Sequence, residues 1–135
     1  VKVLLDTNAY THLRAGHPGV AERVRAAREV IMSVVVLGEI LYGFRHGSRT
    51  ESNERRLDEF LGMPRITVAP VTQVTADRYS RIFTALRRAG RPIPTNDVWI
   101  AAHALEHGAE LLSSDGHFGE VPGLALRMLI TDAGG

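Results

Sequence analysis

Four acidic residues stand where an acid can do chemistry: Asp6, Glu39, Asp97 and Asp115. Asp6 follows the apolar run Val1-Lys2-Val3-Leu4-Leu5, and Asp115 follows a second apolar run, Ala109 to Leu112, closed by Ser113-Ser114. Short apolar runs bounded by polar residues read as strands buried on both faces, and open α/β sheets bind ligands beyond the carboxyl ends of such strands. Taken alone, Asp6 is equally well explained as an N-cap for the helix that follows. Asp97 lies in the first turn of a helix that starts after Pro92-Ile93-Pro94, with Thr95 expected as its N-cap. There the helix dipole alone would favour an acid by ~0.3–1 kcal/mol. Glu39 interrupts a helix over residues 34–46 that is apolar nearly all round and is expected to be buried. No Lys or Arg stands three or four positions from Glu39, so its partner comes from elsewhere in the fold or is a cation. The plainer reading is a neutral, hydrogen-bonded core glutamate.

If these acids converge, electrostatics dictates the rest. Two carboxylates ~4 Å apart repel by about 4 kcal/mol at an effective dielectric of 20. Such a group either holds protons or binds a hard divalent cation. Oxygen donors without cysteine or paired histidines favour Mg²⁺ or Mn²⁺ over Zn²⁺. Ions of that kind leave positions open for phosphate oxygens and activate water, so the chemistry that follows is phosphodiester hydrolysis.

The elements that must position these acids alternate along the chain. After the first strand come short helical turns over Ala9–Arg14 and an amphipathic helix with Val20, Val24, Ala27 and Val30 on one side. Val30-Ile31-Met32 is the second strand, and Ser33 is the N-cap of the Glu39 helix. A charged helix over Glu51–Gly62 turns Leu57, Phe60 and Leu61 inward, and Ile66-Thr67-Val68 forms the third strand. Thr72 opens a long helix ending at Gly90. The helix after Pro94 runs to His107 and stops at Gly108, followed by the fourth strand. Gly116 to Pro122 is expected as loop, Leu124 to Ile130 as an edge strand, and Thr131 to Gly135 as a loose tail. These elements are read as those of an open α/β sheet. With neither repeats nor linkers, residues 1–135 are expected to form a single domain.

Composition narrows the function classes. An apolar fraction of 44% and a charged fraction of 23% are those of an ordinary globular chain. No apolar run approaches the ~20 residues of a membrane span, and no signal peptide is visible, so no membrane partner is expected. The absence of cysteine removes disulfides and thiolate metal sites and points to the cytoplasm. A net charge of +1 excludes coating of nucleic acid by bulk charge. Within it, the cations are fifteen Arg against the single Lys2. Most of these arginines are expected on solvated surface, but Arg87, Arg88 and Arg91 run toward the Asn96-Asp97 segment and are candidates to line a nucleic-acid path.

Asp6-Thr7-Asn8, the Ser33–Gly43 helix carrying Glu39, Asn96-Asp97-Val98-Trp99-Ile100-Ala101-Ala102-His103-Ala104, and Ser113-Ser114-Asp115-Gly116-His117-Phe118 before Val121-Pro122-Gly123-Leu124 together resemble a PIN domain. More narrowly, the chain resembles the VapC-type toxins of bacterial toxin–antitoxin pairs, over essentially its whole length. The resemblance implies an α/β fold, a three-layer α/β/α sandwich with a central mostly parallel sheet, Mg²⁺- or Mn²⁺-dependent endoribonuclease activity on an RNA substrate, a homodimer, and a small antitoxin whose tail lies in the acidic groove. It carries over Asp6, Glu39, Asp97 and Asp115 as metal-site acids, with Thr7, Asn8, Asn96 and Ser114 as supporting or substrate-facing groups. Many members of that family have a further acid two positions after the Asp115 equivalent, where this chain has His117, so one well-formed metal site is expected and a second is left open. As an exposed loop histidine, His117 is expected to bind neither metal nor phosphate. A phosphotransferase or receiver-like module would need a lysine late in the chain, and the only lysine is Lys2. A catalytically silent PIN-like binding module is the remaining alternative.

Overall fold

The computed structural model describes residues 1–130; the tail expected over Thr131–Gly135 lies outside the described residues. Five strands form one sheet in the order β3-β2-β1-β4-β5, with β1 Lys2–Leu5, β2 Glu29–Ser33, β3 Ile66–Ala69, β4 Glu110–Ser113 and β5 Leu126–Met128. Every neighbouring pair is parallel. Val3, Leu4 and Leu5 are consecutive in β1 and all buried, as are Val30, Ile31 and Met32 in β2. Successive side chains of a strand point to opposite faces, so both faces of the sheet are covered and the architecture has three layers. Each such side chain contributes roughly 1.5–3 kcal/mol by leaving water, which makes the central strands the rigid part of the molecule.

The chain steps outward from β1 to β2 to β3, then returns across the sheet to add β4 on the other side of β1. The direction of winding therefore reverses between β1 and β4, and ligands bind at such a reversal. Leu5 pairs with Leu112 there, and the ladder continues one step further through the Asp6 amide, which donates to the Leu112 carbonyl at 3.3 Å.

Six helices make the connections: α1 Thr7–Arg14, α2 Pro18–Ala26, α3 Val34–Arg45, α4 Thr50–Leu61, α5 Gln73–Arg88 and α6 Thr95–His107. Several ends follow the sequence closely. The Ser33 hydroxyl accepts from the Val35 amide at 3.1 Å and caps α3, and Thr72 forms a capping box with Thr75 on α5. Gly108, at φ +62°, ends α6 in the left-handed conformation that costs glycine nothing.

Other expectations need correction. The helix expected to continue to Val30 stops at Ala26, because Glu29 already pairs with Lys2 in the sheet. Pro94 rather than Thr95 is the N-cap of α6, its carbonyl accepting from the Asp97 and Val98 amides. Residues 116–120 form a 3-10 turn instead of open loop, and β5 spans only three residues. Helix α3 is also less enclosed than its composition suggested. Val36 and Ile40 are buried, yet Val34 is 41% and Tyr42 66% exposed. Glu39, on the boundary between these sides, is half-buried.

Candidate metal centre

The four acids reach one cleft from four stretches of chain. Asp6 leaves β1, Glu39 rises from the second turn of α3, Asp97 from the first turn of α6, and Asp115 follows β4. They line a cavity of about 730 Å³ with Thr7, Asn8 and Asn96, floored in part by Ile100 and Phe118.

Each carboxylate is held differently. Asp6 is 5% exposed and caps α1: its Oδ1 accepts from the Ala9 amide at 2.8 Å and its Oδ2 from the Ser113 hydroxyl at 2.5 Å. The capping reading and the cleft reading are therefore both true of the same side chain. A carboxylate has about four lone-pair sites, and two of Asp6's are left to face the cleft. Burial pushes the Asp6 carboxyl up from its ordinary 3.8; the bonds from Ser113 and Ala9 oppose that, and the charges of Asp97 and Asp115 add to it.

Glu39 has neutral partners instead of a cation. The Thr7 hydroxyl donates to its Oε1, and the Asn96 side-chain amide donates to its Oε2 at 3.2 Å. Thr7 and Asn96 thus act as supporting groups from α1 and α6, fixing the one carboxylate on α3.

Asp97 and Asp115 face each other across His117. The ring Nε2 lies 2.6 Å from Asp97 Oδ2 and Nδ1 lies 2.7 Å from Asp115 Oδ1. The ring is half-buried between two acids, where an exposed loop side chain was expected. The backbone does the positioning: Asp115 caps the 3-10 turn by accepting from the His117 amide at 3.2 Å, and that tight turn aims the ring at α6. Asp97 is raised above its ordinary 3.8 by burial first; its bond to His117 lowers it, and Glu39 and Asp115 raise it further.

The donor set fits a divalent cation. Asp97, Asp115 and His117 offer ligand atoms that all lie within 4.8 Å of one another, and the charges of both acids help raise the carboxyl of Asp6 beside them. Carboxylate oxygens and one imidazole converging in a cleft are donors that a divalent ion can accept.

Four nominated residues, Ser114, Arg87, Arg88 and Arg91, are not among those lining this cleft. Ser114 is half-buried outside its lining; the neighbouring Ser113 makes the contacts, because alternate strand residues face opposite ways. Ser113 also accepts from the Asp115 amide at 2.9 Å, so one hydroxyl joins both strand-end acids. Arg87 lies over the Phe83 ring at 6.0 Å, and Arg91 pairs with Glu120 at 2.9 Å. Both belong to the exposed end of α5 and its turn, away from the acids.

The comparisons with known proteins agree with this geometry. Residues 3–124 match the PIN domain family. Ribonuclease VapC1 of Haemophilus influenzae is 32% identical over 114 residues, covering 82% of this chain and 84% of the relative. Ribonuclease VapC2 of Rickettsia felis is 29% identical over 128 residues, covering 91% and 94%. Among solved structures, VapBC2 from Rickettsia felis bound to a DNA fragment from its promoter superposes with a TM-score of 0.83 at 26% identity, over 96% of this chain and 100% of that one. VapBC-1 from nontypeable Haemophilus influenzae gives the same TM-score at 27% identity, over 95% and 98%. The chain belongs to the PIN domain family and, within it, to the VapC ribonucleases.

Proposed function

We propose that this protein is the toxin of a type II toxin–antitoxin pair: a Mg²⁺- or Mn²⁺-dependent endoribonuclease, held inactive by a cognate antitoxin. The observation that carries the reading is the convergence of Asp6, Glu39, Asp97 and Asp115 at the winding reversal of a parallel sheet. The names of its relatives as ribonucleases, and the VapBC complexes among its structural neighbours, support it.

Asp6, Asp97 and Asp115 are the metal-holding acids in this reading. A divalent ion, when bound, supplies Lewis-acid activation of water and stabilises charge developing on the phosphoryl oxygens. The remaining work falls to the chain. Glu39, with one bond to each oxygen from Thr7 and Asn96, keeps lone pairs free to orient the attacking water and take its proton. Asn8 and Asn96 are exposed at the mouth of the cleft, where their amides can donate to substrate phosphate. Water adds to phosphorus and the bond to the 3′-oxygen breaks, leaving a 3′-hydroxyl and a 5′-phosphate. A 2′-deoxy group at the scissile nucleotide is then tolerated.

The reading also includes a homodimer and a cytoplasmic location. Val68, Val71 and Val74, exposed by 39%, 44% and 56% at and just after edge strand β3, supply apolar surface for a second copy. Sedimentation of the purified chain tests that. No helix among the described residues is long and apolar enough to cross a membrane.

The decisive experiment is cleavage of a mixed RNA pool with Mg²⁺, with Mn²⁺ and with EDTA, followed by end-group analysis. Activity that EDTA abolishes, with 5′-phosphate products, is expected. Cyclic-phosphate products would mean attack by the 2′-hydroxyl and would refute the water step. Metal-loaded protein that binds RNA without cutting it would make the chain a silent binding module.

A further inference from the structure

Among the described residues, His117 is the one nitrogen ligand in the group of side chains able to hold a metal. Its ring is fixed on three sides. Asp97 Oδ2 meets Nε2 at 2.6 Å, Asp115 Oδ1 meets Nδ1 at 2.7 Å, and the ring centroid lies 5.0 Å from that of Phe118, which is buried. The side chain is itself half-buried, and its backbone amide is tied to Asp115. This is a ring placed by the fold between two carboxylates, and not a loop side chain that happens to reach them. An ion held by Asp97 and Asp115 would necessarily meet it.

We propose that His117 is a metal ligand and sets the ion preference of the cleft, favouring Mn²⁺ over Mg²⁺. The proposal rests on the nuclease reading above and adds to it the choice of ion. Mg²⁺ is small, dehydrates reluctantly and takes oxygen donors almost exclusively. Imidazole suits ions of the d-block, and Mn²⁺ accepts it alongside carboxylates. Replacing one carboxylate of an acidic ring by imidazole also removes one negative charge from the site. That weakens the electrostatic attraction for both ions equally, while the nitrogen bond compensates only for Mn²⁺. A preference between ions of equal charge therefore follows from the donor atom alone.

Pulsed EPR of the Mn²⁺-loaded full chain tests this directly, because a directly bound imidazole nitrogen imprints a ¹⁴N modulation on the manganese signal. Among the described residues no other histidine belongs to a group of side chains placed to hold a metal. The modulation is expected in the wild type and is expected to vanish in both His117→Asp and His117→Gln, with circular dichroism checking that each variant is folded. Calorimetric titration with each metal alone should show tighter Mn²⁺ binding in the wild type. In His117→Asp the ratio of Mg²⁺ to Mn²⁺ dissociation constants should fall by about tenfold or more, the scale expected for loss of a group at a metal site. Mn²⁺ that binds without ¹⁴N modulation, or an unchanged ratio in the variant, overturns the assignment while leaving the nuclease reading intact. Failure of Mn²⁺ to bind at all overturns both.

Discussion

The two sides of the cleft are built on opposite plans. On the sheet side, Asp6 is buried and both its oxygens already accept from protein donors, one of them a hydroxyl on the neighbouring strand. On the helix side, Asp97 and Asp115 are 19% and 41% exposed and share one histidine, His117. One side fixes where negative charge must sit; the other decides what that charge will hold. The lesson is that a carboxylate's role follows from how many of its lone pairs the protein has used, and not from its position in a motif.

The largest expected effect comes from breaking the open side. Asp97→Asn should lower RNA cleavage by at least about 10²-fold, the usual consequence of losing one transition-state contact, while chemical denaturation shows an unchanged or slightly steadier fold. On the sheet side, Asp6→Asn should also remove activity. Asparagine is as good an N-cap as aspartate, so the metal-free fold should be as stable or more so, because repulsion from Asp97 and Asp115 is relieved. Marked unfolding of that variant would show that the acid is structural. Ser113→Ala separates the two plans most sharply. It touches no charge, yet strips a donor from buried Asp6 and an acceptor from the Asp115 amide, and should cost about 1–3 kcal/mol in urea melts.

A smaller effect is expected from pH. Asp6 and Asp97 both titrate above 3.8 in the folded protein, so between that value and the raised ones the native state binds more protons than the unfolded chain. Stability of the metal-free protein should therefore fall as pH rises through that window and level off above it. Asp6→Asn should flatten this slope; a slope identical to wild type would mean the buried acid carries no penalty. His103 adds an opposite trend at higher pH. It bonds Ser33 Oγ at 2.8 Å and the Pro70 carbonyl at 3.0 Å, and burial lowers its pKa from the usual 6.5. Its contribution is lost as pH falls from 6.5 toward the lowered value. The smallest change belongs to Arg91→Ala, which removes one exposed ion pair and should alter stability by less than ~1 kcal/mol with cleavage unaffected.

The acids were legible in the sequence because each stands at a boundary that local rules mark: the end of an apolar run, the first turn after prolines, or the one charge in an apolar helix. The strands were legible for the same reason, and the parallel order of the sheet came with the family resemblance. What escaped were contacts between distant parts of the chain. Nothing local separates Ser113 from Ser114, and only the sheet register decides which hydroxyl meets Asp6 across 107 residues. His117 looked like a loop residue because 3-10 turns have no strong periodicity to reveal them. Arg91 pointed toward the acids along the sequence, but its pairing with Glu120 is settled by tertiary packing. The exposure of Val34 and Tyr42 was hidden because apolar composition does not distinguish a buried helix from one awaiting a partner.

The hydrogen-bonded step from Asp6 to Leu112 joins the cleft to the two central strands. Buried central strands are among the last parts of a protein to open, so the Asp6 end of the cleft is tied to the most stable part of the fold. Local fraying is therefore a poor way to shut this end of the site. Restraint by something that plugs or shields the opening would leave that end in place, ready once the cover is lifted.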